Sequence, residues 1–138
     1  MPIIDSSIYA SVVVKDEFYD DCKKYMTSKK ATLDLAFAEA GNVVWKHVKI
    51  GRIAAEEAVD RARVLRRLIN TSKIFKAEEI LDEAVKLAVD HDITVYDALF
   101  IALAIKLNER LVTTDRRLYD KIKETNLGRF VECIGHGR

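Results

Sequence analysis

The chain has 138 residues, of which 49% are apolar and 33% charged, with one proline and five glycines. That composition fits one soluble domain with a core of its own and excludes a linker-rich or low-complexity chain. Lys plus Arg number 23 against 22 for Asp plus Glu, so the broad positive field of a generic nucleic-acid binder is missing and any such contact must be local.

Pro2-Ile3-Ile4-Asp5 reads as a short buried strand that ends in an acid, with Ser6 or Ser7 capping a helix that starts near Ile8. The apolar run Ile8 to Val14 has no basic region before it, and no run approaches the ~20 residues of a membrane span, so a cytoplasmic protein is expected. A second helix is expected from Asp16 to Met26, with Phe18, Cys22, Tyr25 and Met26 at helical spacing, followed by a polar loop over Thr27 to Lys30. Thr32 to Ala36 reads as the second strand, and Phe37 to Val48 as a helix carrying Glu39 in its first turns. Ile53 to Ile69 resumes a helical pattern, with Ala58, Val59, Ala62, Leu65 and Leu68 on one face.

Ser72 to Phe75 is a candidate short strand and Ala77 to Val89 a helix. Val95 to Leu107 is the most apolar helix and is expected to be buried on most of its surface. Leu111-Val112-Thr113 is a strand running into Asp115 and a helix to about Glu124, and Phe130 to Ile134 is a final strand. Short apolar strands alternating with helices imply right-handed crossovers and a parallel sheet covered on both faces. The expected fold class is α/β, a three-layer α/β/α sandwich, with residues 1–134 as one domain and 135–138 as a short polar tail. Cys22 and Cys133 have no CxxC spacing and suit buried free thiols in a reducing compartment.

In open sheets of this kind ligands bind beyond the carboxyl ends of the strands. Asp5, Glu39 and Asp115 lie at or just after such ends. Each acid also has an ordinary structural reading. Asp5 and Asp115 suit helix N-caps, Glu39 suits a helix N-terminus, and Thr94-Val95-Tyr96-Asp97 has the spacing of a capping box. Together the four place like charges at one crevice with no lysine or arginine in the same short motifs. Two carboxylates ~4 Å apart repel by about 4 kcal/mol at an effective dielectric of about 20. Protonation or a bound cation relieves that repulsion, and hard oxygen ligands without Cys or His select Mg²⁺ or Mn²⁺.

These residues carry a resemblance. Ile4-Asp5-Ser6-Ser7, Ala38-Glu39-Ala40, the helix Val95-Tyr96-Asp97-Ala98-Leu99-Phe100-Ile101-Ala102-Leu103-Ala104, and Leu111-Val112-Thr113-Thr114-Asp115 match PIN-domain nucleases in order, spacing and flanks. The chain resembles in particular the small VapC-like toxins of prokaryotic toxin–antitoxin pairs, over essentially its whole length. The resemblance implies a PIN-like, Rossmann-like fold and an endoribonuclease with Asp5, Glu39, Asp97 and Asp115 as metal-binding, catalytic acids. Ser7 and Thr113 would support the site, with adjacent Ser6 a weaker choice. One or two Mg²⁺ or Mn²⁺ ions would activate water for in-line attack and leave a 5′ phosphate and a 3′ hydroxyl. It also implies RNA as substrate, with a cognate antitoxin and a second protomer as partners.

Asp34 is none of the family's acids and reads as structural, facing away from its neighbours Leu33 and Leu35. His47, His91 and His136 show no metal spacing. Lys46, Lys49 and Arg52 open the most basic segment and are candidate RNA contacts, whereas Glu56, Glu57 and Asp60 can pair with the arginines that follow. Two other functions compete with the nuclease. One is a PIN-like binding module for RNA processing or ribosome assembly with little nuclease activity. The other is a phosphoacceptor domain, which wants a paired acid after the first strand and a lysine after the last, where this chain has serines and Cys133-Ile134-Gly135.

Overall fold

A computed structural model describes residues 1–135. Five short strands, β1 (Ile3–Ile4), β2 (Ala31–Leu33), β3 (Lys73–Phe75), β4 (Leu111–Thr113) and β5 (Val131–Cys133), pair in parallel in the order β3-β2-β1-β4-β5. The residues of β1, β2 and β4 are buried in succession rather than alternately, the pattern of a parallel sheet covered on both faces. Among the described residues the α-helices are α1 (Ser6–Val14), α2 (Tyr19–Cys22), α3 (Leu35–Lys49), α4 (Ala58–Asn70), α5 (Leu81–His91), α6 (Val95–Leu107) and α7 (Arg116–Ile122). Helices α1, α3 and α4 pack on one another, as do α5 and α6, giving the expected α/β/α sandwich.

The order reverses at β1. The chain runs outward through β2 and β3, then returns to the other side for β4 and β5. A crevice therefore opens beyond the carboxyl ends of β1 and β4. The register pairs Ile4 with Val112, and the Asp5 N–H donates to the Val112 carbonyl at 3.1 Å. Asp5 is thereby set beside Thr113.

Helix α6 is the axle of the core. Ala98 to Ala104 are all buried, and the helix packs on β1, β4 and α5. Cys22 and Cys133 are buried free thiols, as expected. No helix among the described residues is long and apolar enough to cross a membrane.

Several element boundaries differ from expectation for local reasons. Helix α1 begins at Ser6 and its cap is Asp5, not a serine, because the Asp5 carboxylate accepts the Ser7 N–H at 2.9 Å. The second strand stops at Leu33 and α3 starts at Leu35. Asp34 leaves the strand, and its carboxylate accepts the Ala77 N–H at 3.0 Å, holding the short 3₁₀ turn Ala77–Ile80 that precedes α5. Its structural role is borne out by a contact that strand alternation does not describe. The expected Asp16–Met26 helix is one α turn, Tyr19–Cys22, followed by 3₁₀ geometry over Lys23–Thr27. Similar 3₁₀ turns occupy Ala55–Glu57 before α4 and Gly128–Phe130 before β5. Of the expected 135–138 tail, residues 136–138, including His136, lie outside the described residues.

Candidate active site

Asp5 leaves the end of β1 as the N-cap of α1. Asp115, two residues beyond β4, is the N-cap of α7, its carboxylate accepting the Leu118 N–H at 3.0 Å. Asp97 stands in the first turn of α6, where the Thr94 hydroxyl accepts its N–H at 3.2 Å. Glu39 lies in the early turns of α3, flanked by buried Ala36 and Ala40. All four acids are half-buried. The capping roles that sequence offers as alternatives are therefore real for Asp5 and Asp115, and they coexist with a shared crevice.

The acids feel one another. Burial pushes Asp5 from the ordinary carboxylate value up to about 7, and the charges of Asp97 and Glu39 add to the rise, while the Thr113 hydroxyl and the Ser7 N–H oppose it. Asp97 is raised by burial and then by the charge of Asp115, with a further contribution from Glu39. Proximity and desolvation both penalise the charged form. The raised Asp5 and Asp97 mark a place where a cation would relieve unfavourable charge.

A hydroxyl lattice fixes the backbone around the acids. The Ser7 hydroxyl accepts the Thr114 N–H at 3.0 Å and lies 3.4 Å from the Thr113 hydroxyl. Thr113, fully buried, accepts the Asp115 N–H at 3.0 Å. On the other side the Ser6 hydroxyl donates to Glu39 Oε1 at 2.7 Å. Ser6 is buried and is the direct partner of Glu39, a contact its place beside Ser7 in the sequence does not announce: the first residue of α1 faces α3.

Among the described residues, no group of three or more His, Cys, Asp and Glu side chains is arranged so that it could hold a metal ion. The carboxylates share one electrostatic field without forming a closed ligand set. Three of them are turned toward donors of their own, Asp5 to Ser7, Glu39 to Ser6 and Asp115 to Leu118. In donor chemistry the four fit a hard cation, since every candidate ligand is a carboxylate oxygen.

Lys46, Lys49 and Arg52 are exposed at and beyond the far end of α3. Ten residues of helix separate Glu39 from Lys49, about 15 Å along the axis, and seven separate it from Lys46, about 10 Å. Lys49 lies over the Trp45 ring, 5.0 Å from its centre. Arg61 and Arg63 of α4 pair with Glu57, just before the helix, and with Asp60 within it, as their spacing predicts. Closer to the acids, a cleft of about 330 Å³ is lined by Asp97 and Asp115 together with Arg117 and Lys121. Neither cation stood out in the sequence, where both belong to an ordinary charged helix.

The family model for the PIN domain matches residues 3–124. The chain is 34% identical over 121 residues to "Ribonuclease VapC3" of Pyrobaculum aerophilum, covering 86% of this chain and 92% of that protein. It is 35% identical over 105 residues to "Exonuclease VapC9" of the same organism, covering 76% and 75% respectively. Among solved structures, PAE2754 from Pyrobaculum aerophilum superposes with a TM-score of 0.68 at 31% identity, over 94% of this chain and 88% of that one. The chain belongs to the PIN-domain family.

Proposed function

We propose that this protein is a divalent-metal-dependent endoribonuclease that acts as the toxin of a toxin–antitoxin pair. The observation that carries the reading is the mutual electrostatic coupling of Asp5, Glu39, Asp97 and Asp115 at the switch point of a PIN-family sheet. Nuclease activity is supported by the names of two relatives, one a ribonuclease and one an exonuclease. Asp5, Glu39, Asp97 and Asp115 would hold Mg²⁺ or Mn²⁺, which when bound would polarise the scissile phosphate and activate water.

The protein's own residues do the positioning. Ser6 orients Glu39, while Ser7 and Thr113 fix the chain on either side of Asp5 and Asp115. Asp5, which burial raises in the metal-free protein, would be held deprotonated by a bound cation and so would serve as a ligand rather than as a proton store. Lys46, Lys49 and Arg52 offer a remote phosphate contact for a long RNA. The proposal includes an antitoxin and a second copy of the chain as protein partners, and light scattering on the protein alone and co-expressed with the product of a neighbouring small gene reads both.

The deciding experiment incubates the purified protein with a linear and a circular single-stranded RNA, in Mn²⁺ or in EDTA. Cutting of both forms, abolished by EDTA and by Asp97→Asn, is the expected result. Digestion of the linear form alone would replace the endonuclease by an exonuclease. One observation favours a second reading, a PIN-like binding module for RNA processing or ribosome assembly with little nuclease activity: among the described residues no group of three or more His, Cys, Asp and Glu side chains is arranged to hold a metal. Calorimetric titration that finds no Mn²⁺ binding would decide for that module.

A further inference from the structure

We infer that Arg117 is a substrate-positioning residue of this site, its guanidinium holding an RNA backbone phosphate beside the one being cut, on the α7 side of the four acids. The inference rests on the nuclease reading and adds to it the direction in which the strand leaves the acids.

The cleft at the strand ends has Asp97 and Asp115 on its lining and two cations, Arg117 and Lys121, beside them. The two cations differ in what they are already doing. Lys121 donates to the backbone carbonyl of Asp92 and lies 3.4 Å from its carboxylate, so it ties α7 to the turn between α5 and α6 and serves as part of the cleft wall. Arg117 is exposed, and among the described residues it makes no ion pair or side-chain hydrogen bond. Its neighbour Arg116 is taken up by Asp120, at 3.2 Å.

Helix stability does not account for Arg117. Its neighbours one turn on are Asp120, already paired with Arg116 and Lys123, and Lys121, a like charge at an unfavourable spacing. An uncommitted cation is therefore held at the rim of an acidic crevice. A strand of RNA drawn over those acids needs positive charge on its flanking phosphates, and a planar guanidinium binds phosphate oxygens in pairs. Lys49 and Arg52 lie at and beyond the far end of α3, whereas Arg117 lines the same cleft as Asp97 and Asp115.

The test measures binding of a fluorescent single-stranded RNA to the full chain by anisotropy in EDTA, across a salt series, with circular dichroism to confirm folding. Arg117→Ala should weaken binding by about three- to tenfold and reduce the slope of log affinity against log salt by about 0.7, the loss of one phosphate contact on a single strand. Arg117→Lys should keep the slope, and Arg116→Ala should change neither quantity. In a Mn²⁺ cleavage assay, Arg117→Ala should raise KM while kcat stays within about threefold. Arg117→Ala with wild-type affinity and salt slope, or a wild-type chain that binds no RNA, overturns the inference. A wild-type chain that binds RNA and never cuts it overturns the nuclease reading instead and leaves the Arg117 contact standing.

Discussion

The Ser6 hydroxyl donates to Glu39 Oε1 at 2.7 Å, joining the first residue of α1 to the early turns of α3 across 33 positions of sequence. Ser6 is 6% exposed, so the bond sits within the packing of α1 on α3. The bond selects one orientation of Glu39 in the crevice. Replacing Ser6 by Ala leaves that carboxylate free to rotate, and loss of an outer partner of a metal ligand costs roughly ten- to a hundredfold in metal affinity. We expect Ser6→Ala to fold, to bind Mn²⁺ at least tenfold more weakly by calorimetry, and to lose activity in step. Unchanged Mn²⁺ affinity would show that Glu39 is not a ligand or that its orientation is fixed by other contacts.

Asp5 links the site to the stability of the fold. Its value in the folded protein stands near 7 against 3.8 for the ordinary group, so the folded state binds more protons than the unfolded chain between those limits. Stability from this group is full below about pH 4 and is lost as pH rises toward 7. A shift of this size in a sealed position corresponds to about 4 kcal/mol. Asp5 is only half-buried, so solvent reduces the effect and ~1–2 kcal/mol is the expectation. Asp5→Asn keeps the cap, because Asn serves as well as Asp there. The metal-free Asp5→Asn protein should melt higher than wild type at pH 8 and no higher at pH 4. Equal melting temperatures at pH 8 would mean that Asp5 is not held in an unfavourable charged state.

The same proton competition bears on metal binding. A cation must displace the proton held at Asp5, so Mn²⁺ affinity should rise with pH and level off above about 7. Affinity that is flat between pH 5.5 and 8 would remove Asp5 from the ligand set.

How much of this was legible in the sequence depends on the range of the interaction. Helix α6 was readable from Val95 to Leu107 because an apolar run with a Thr94 cap needs no partner to identify it. The three-layer sandwich followed from alternation of short apolar strands with helices, and the motifs around Asp5, Glu39, Asp97 and Asp115 carried the family. Boundaries failed where a distant group decides them. Asp34 follows β2, and its carboxylate accepts the Ala77 N–H from 43 positions away. Ser6 ranks below Ser7 on sequence because its partner Glu39 lies on another helix, and Arg117 stands out only where one cleft sets it with Asp97 and Asp115. The open arrangement of the acids was equally unreadable, since residue order fixes which groups converge and not which donors their oxygens face.

Gly128 tests the packing behind β5. A Cβ at this position would stand 2.3 Å from the Lys123 carbonyl oxygen and 2.8 Å from its carbon. Both atoms are backbone, so a side chain cannot simply swing aside. Gly128→Ala must move the end of α7 or the 3₁₀ turn Gly128–Phe130 that leads into β5. A cost of about 1–3 kcal/mol is expected in denaturant unfolding, and a neutral substitution would show that this close approach is not held in solution.

Asp115 allows the cap and the ligand to be separated in one residue. Its carboxylate accepts the Leu118 N–H at 3.0 Å while lying close enough to Asp97 to raise it. Asp115→Asn retains a capping oxygen but gives up the charge, whereas Asp115→Ala gives up both. If Asp115 is only a cap, the Asn variant should be active and stable, and the Ala variant should lose about 0.5–2 kcal/mol with activity following stability. If it is also a ligand, the Asn variant should unfold like wild type and still bind Mn²⁺ poorly, with cleavage down by a hundredfold or more, roughly the 2.7 kcal/mol that two factors of ten represent. Unfolding curves and Mn²⁺ titrations on the two variants distinguish these outcomes without reference to each other. The charge that Asp115 shares with Asp97 is the reason to expect the second.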